Sequence, residues 1–114
     1  MENKLLSKKC VPCEGGVLPF DDKQISTYLQ QLTLDWSVID KTKIQHRFTL
    51  KDFLSAMKFV NTVADISEKE GHHPDIMISY NKVTITLWTH AIRGLSQNDF
   101  ILAAKVEHVM STEK

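Results

Sequence analysis

Glu68-Lys69-Glu70-Gly71-His72-His73-Pro74-Asp75, continuing as Ile76-Met77-Ile78-Ser79-Tyr80-Asn81 and Lys82-Val83-Thr84-Ile85-Thr86-Leu87-Trp88-Thr89-His90, is the stretch whose reading decides the fold. Gly71 tolerates positive φ and suits a helix C-terminal cap, and Pro74 prevents the helix from resuming. Beyond it, residues 76–80 and 82–88 have the composition of two strands joined by a tight turn. Val83, Ile85 and Leu87 fall on one face of the second strand, and Thr84, Thr86 and Trp88 on the other. The hairpin predicts that His90, at the end of its second strand, is brought near His72 and His73 at the end of the helix.

Working back towards the N-terminus, Thr49-Leu50-Lys51-Asp52 has the form of a capping box with Asp in place of Glu. The helix it opens places Phe53, Met57, Val60, Val63, Ala64 and Ser67 on one stripe, with Ala56 beside it. Before it, Leu34, Trp36 and Val38 alternate with other residues, as do Ile44, His46 and Phe48, and a turn at Lys41-Thr42 makes these a first hairpin. Asp21 or Asp22 can cap a short helix carrying Ile25, Tyr28, Leu29 and Leu32. Past His90, Ser96-Gln97-Asn98-Asp99 is a second capping-box-like start. It opens a last helix through Phe100, Ala103, Ala104, Val106, Val109 and Met110. The order α-β-β-α-β-β-α predicts an α+β domain: a four-stranded antiparallel sheet with helices packed on one face.

The length of 114 residues suits one domain, read as a flexible N-terminal arm over 1–20 and a domain over 21–114. Apolar content of 42% and charged content of 25% are ordinary for a globular protein. Acidic and basic residues balance to a formal charge of zero and are interspersed, which predicts neither a nucleic-acid nor an anionic-membrane partner. The first nine residues carry three lysines and no sustained apolar run, and no run is long enough to span a bilayer, so a cytoplasmic protein is expected.

Cys10-Val11-Pro12-Cys13 is followed by Glu14-Gly15-Gly16. Two thiols are too few for a structural zinc site without histidines or a second subunit. A thioredoxin-like pair should follow a strand and open a helix, yet glycines and Pro19 break the chain here. The simplest reading is two reduced thiols in the arm.

Three of the five histidines sit at element ends that one hairpin can join. Imidazole titrates nearest neutrality, so such a cluster points to proton transfer. Three close imidazoles cannot all be cationic at little cost, which divides them between acid and base forms. Taken singly, each residue has a structural reading as well. Glu68 can be a solvated helix position or, if the helix persists to His72, a neighbour on the same face. Asp99 suits helix capping, and Trp36 and Tyr80 suit strand packing. His46 and His108 lack such a context. A zinc site on His72, His73 and His90 is disfavoured, since no His-Glu-x-x-His spacing is present and adjacent histidines rarely aim at one ion.

The spacing Glu68, His72-His73-Pro74, Tyr80, His90 and Asp99 resembles the signature of the pterin-4a-carbinolamine dehydratases. The resemblance runs upstream through Trp36, Phe48 and Phe53 and downstream through Gly94-Leu95 and Asn98-Asp99. Even the cysteine-containing arm is similar to that of some bacterial and plant members. It implies dehydration of a 4a-hydroxytetrahydropterin to the quinonoid dihydropterin, in recycling of the cofactor of aromatic amino acid hydroxylases, with no cofactor and no metal. By the same resemblance His72, His73 and His90 are catalytic, and Pro74 and Thr89 join them in binding the pterin. Glu68, Asp99 and Trp36 support the site. The partners implied are the pterin, a second copy in a homodimer or homotetramer, and a hydroxylase of the same pathway. The alternative is a non-catalytic module, a transcriptional coactivator or an assembly factor, as some relatives are. Two positions depart from the family pattern: Gly71 stands where Asp or Asn is frequent, and Trp88, where serine is common, narrows or shields the mouth of the site.

Overall fold

Strand Lys82–Leu87 (β4) lies inside the sheet, and its alternation decides what the sheet buries. Val83, Ile85 and Leu87 are fully buried, whereas Thr84 and Thr86 between them are half-buried. The computed structural model describes residues 4–10 and 18–112, so Cys13 and its place in the arm lie outside the described residues.

β4 pairs antiparallel with Asp75–Ser79 (β3) on one side and Lys43–Thr49 (β2) on the other. Ser37–Ile39 (β1) completes the order β1-β2-β4-β3. In register, Ile44 faces Leu87 and Phe48 faces Val83, so one side of the sheet is continuously apolar. On the other side Gln45 Nε2 donates to Thr86 Oγ1 across the strands at 2.9 Å. Three helices fall at Asp22–Leu29 (α1), Phe53–Glu70 (α2) and Gln97–Thr112 (α3), giving the predicted α-β-β-α-β-β-α order. Their apolar residues and the apolar side of the sheet form one core. Among the described residues no helix is long and apolar enough to cross a membrane.

Local chemistry explains the element ends, with differences from the sequence reading. Asp21 and Gln24 form a reciprocal capping box at α1. Thr49 does not cap α2: it ends β2, and Leu50 exchanges hydrogen bonds with Asn81, its N–H to the backbone carbonyl at 2.8 Å and its carbonyl with the side-chain amide at 2.9 Å. The cap is Asp52, whose Oδ1 accepts from Ser55 N at 2.8 Å. The inward stripe of α2 is Ala56, Phe59, Val63 and Ser67, not one led by Phe53, which is 50% exposed. The buried Ser67 hydroxyl is satisfied by Val63 O at 2.8 Å.

The expected strand at 34–39 is paired only over β1. Upstream of it, the carboxylate of buried Glu107 on α3 gathers Thr33 N and Oγ1, Leu34 N and Trp36 Nε1, all within 3.0 Å. A side-chain carboxylate thus replaces a neighbouring strand as acceptor. Tyr80, expected as a strand residue, sits in the β3–β4 turn at φ 52° and is 67% exposed. The last helix is buried more completely than its predicted stripe, since Ile101 and Leu102 are also in the core.

The segment before α1 is packed where it is described. Lys4–Ser7 forms a 3-10 turn, Leu5 is buried, and Leu6 O accepts from Lys105 Nζ at 2.9 Å. Phe20 N donates to Leu95 O at 2.8 Å. A Cβ on Gly94 would lie 2.6 Å from Pro19 Cβ, so the close approach requires glycine.

Candidate active site

Gly71 adopts φ 65° and closes α2, its N–H reaching Glu68 O and that of His72 reaching Ser67 O. The chain therefore leaves the helix axis before His72, and the two histidines take different partners. His72 Nε2 meets Asp99 Oδ1 at 2.7 Å. His73 Nε2 meets Glu68 Oε2. The expected Glu68–His72 neighbourhood is thus corrected: that pairing needed a helix continuing to His72.

Asp99 is fully buried in the first turn of α3. Its Oδ2 accepts from Ser96 N at 3.0 Å, the capping role read from sequence, and from Thr89 Oγ1 at 2.8 Å. Its Oδ1 is left for His72, so capping and contact with the histidine coexist in one carboxylate. Thr89 and Ser96 hydroxyls are also 2.8 Å apart. Thr89 and Gly94 pair through backbone hydrogen bonds, which fixes the loop between β4 and α3. An acceptor carboxylate on Nε2 obliges that nitrogen to donate and leaves Nδ1 of His72 for other chemistry.

His90 opens a 3-10 turn over His90–Ile92 and is exposed. Its ring stacks on Trp88 with centroids 3.9 Å apart and planes 25° from parallel. Gly71, His72, His73 and Pro74 line a cleft of about 380 Å³ together with Trp88, Thr89 and His90. The three histidines therefore share one cavity, as the hairpin reading expected. Trp36 is not part of it: buried and bonded to Glu107, it acts in the core. Asp75, Ala91 and Asn98 also line the cleft; the sequence places Asn98 in the start of the last helix and in the family resemblance, but gives none of the three a role in the site. Asp75, directly after Pro74, carries no motif of its own.

Among the described residues no group of three or more His, Cys, Asp or Glu side chains is arranged to hold a metal ion. Cys10 lies behind the site, its N–H donating to Glu70 Oε1 at 2.8 Å and its thiol to Asn98 O at 3.5 Å. Burial, reinforced by the charges of Glu70 and Asp99 against that of Lys105, pushes this thiol up to about 12. At neutral pH Cys10 is thus neither a nucleophile nor a ready metal ligand.

Residues 18–109 match the family profile described as Pterin 4 alpha carbinolamine dehydratase. A protein of Alkaliphilus metalliredigens provisionally named pterin-4-alpha-carbinolamine dehydratase is 44% identical over 109 residues, 96% of this chain and 98% of its own. One of Nitrosospira multiformis with the same provisional name is 47% identical over 103 residues, 90% of this chain and 89% of its own. Among solved structures, a transcriptional coactivator/pterin dehydratase from Brucella melitensis superimposes with a TM-score of 0.75 at 30% identity. That match covers 80% of this chain and 97% of the other. A pterin dehydratase-like RuBisCO assembly factor of the alpha-carboxysome shares the fold at a TM-score of 0.59 and 24% identity, over 68% of this chain and 90% of its own.

Proposed function

The chain belongs to the pterin 4 alpha carbinolamine dehydratase family, and from that premise we propose that it is a hydro-lyase acting on 4a-hydroxytetrahydropterin through its three cleft histidines. The reaction breaks the C4a–O bond and forms a C4a=N5 double bond, giving quinonoid dihydropterin and water. Hydroxide is a poor leaving group, so an acid must protonate the departing oxygen, and a base must collect the N5 proton.

The observation that carries this reading is the buried Asp99 carboxylate on Nε2 of His72, inside a cleft that also holds His73 and His90. With Nε2 held by Asp99, His72 can present Nδ1–H to the hydroxyl, and its charge as an imidazolium is balanced 2.7 Å away. His90 then serves as base towards N5. His73, tied to Glu68 at the rim, holds the pterin with Pro74 and Thr89. The electron pair moves from N5 to C4a, and the proton delivered by His72 leaves in the water.

The same reading places the enzyme in the cytoplasm, in recycling of the pterin used by an aromatic amino acid hydroxylase. It also makes it a homodimer or homotetramer, which is supported by Met77 and Tyr80, each 67% exposed on or beside edge strand β3. The test is dehydration of freshly generated 4a-hydroxytetrahydropterin, followed by absorbance. Acceleration by wild type and its loss in His72→Ala and His90→Ala support the reading. A folded wild type no faster than buffer overturns it in favour of a non-catalytic module, a role the Brucella protein's description as a coactivator also allows.

A further inference from the structure

Among the described residues the exposed imidazole of His90 makes no hydrogen bond; what meets it is the indole of Trp88. An exposed histidine is free to exchange rotamers, whereas a base must face one atom of its substrate. The indole is itself held from both neighbouring strands. Its Nε1–H donates to Asp75 Oδ2 on β3 at 3.3 Å, and Lys43 Nζ on β2 sits 4.7 Å from the ring centroid. Trp88 lies one residue past the end of β4 and is only half-buried, so the core does not demand its size. Of its partners, His90 and Asp75 line the cleft with it.

We propose that Trp88 is the positioning residue of His90: clamped by Asp75 and Lys43, its indole fixes the imidazole plane against the cleft wall. The kinetic consequence rests on the dehydratase reading, and the geometric one does not.

The experiment compares wild type with Trp88→Ser, which removes the ring, and Trp88→Phe, which keeps a stacking face but loses the bond to Asp75. The His90 ring-proton resonances, assigned by their disappearance in His90→Ala, report stacking through the indole ring current. They are expected upfield of a free histidine in wild type and largely so in Trp88→Phe, and at the free position in Trp88→Ser. With the pterin substrate, Trp88→Ser is expected to lose about tenfold in kcat with little change in KM, and Trp88→Phe to recover most of it. Unshifted His90 protons in wild type overturn the proposal, as does a folded Trp88→Ser with wild-type kcat. Should wild type fail to dehydrate the pterin, the dehydratase reading falls, and the ring-proton positions alone decide whether Trp88 orders His90.

Discussion

His72 Nε2 and Asp99 Oδ1 lie 2.7 Å apart although the two residues are twenty-seven positions apart in the chain. The contact joins the end of α2 to the start of α3, and the same carboxylate holds Thr89 and Ser96. One buried group thus both orients the histidine and ties together the walls of the cleft.

Asp99→Asn tests both roles. The amide keeps one acceptor oxygen and loses the charge facing His72. The expected outcome is a fall in kcat of about a hundredfold or more, with stability lowered by about 1–3 kcal/mol in urea unfolding. Unchanged kcat would detach Asp99 from the chemistry.

Glu68→Gln should behave differently. Both Glu68 and His73 are exposed, at 77% and 62% of their side chains, so solvent screens the pair. Stability should change by less than about 1 kcal/mol, and any kinetic effect should appear in KM. A collapse of kcat would show that His73 does more than hold the pterin.

Glu107→Gln separates architecture from chemistry. The carboxylate accepts from Thr33, Leu34 and Trp36, far along α3 from Asp99. Thermal and urea unfolding should show a loss of about 2 kcal/mol or more, because the donors it gathers, the buried Trp36 Nε1 among them, are left short of an acceptor. The kcat of the folded variant should be that of wild type.

The Cys10 thiol gives a pH signature. Its folded value of about 12 lies above the ordinary 9.0, so between these pH values the folded state binds more protons than the unfolded one. The contribution of this group to stability is complete below pH 9.0 and is lost as pH rises towards about 12. Cys10→Ser should flatten that part of the alkaline unfolding curve. Site-resolved alkylation at pH 8 should modify Cys10 in the native protein far more slowly than in urea.

Much of this architecture was legible because its causes are local. A glycine free to take the left-handed conformation, with Pro74 three residues on, marks a helix end locally, and Val83, Ile85 and Leu87 alternate strictly in a strand buried on that face. What escaped depends on distant chain. Helical spacing alone anchors the phase of α2 on Phe53, whereas packing against Phe48, with ring centroids 5.0 Å apart, selects Phe59. Helical spacing pointed Glu68 at His72, but the left-handed Gly71 turns the chain so that Glu68 meets His73 and Asp99 receives His72. Glu107 carried no sequence signal, since nothing local tells a buried acceptor from a solvated one. Strand alternation places Trp88 at the mouth of the site but carries no signal for its stacking on His90, which lies past the end of the strand.

The most direct test of the central claim is the initial rate of 4a-hydroxytetrahydropterin dehydration, measured side by side for wild type, His72→Ala and His90→Ala at matched folded concentration. The account predicts acceleration over buffer by wild type and a loss of about a hundredfold or more in each variant. Acceleration that survives both substitutions would contradict it, because the proton transfers would then belong to other groups.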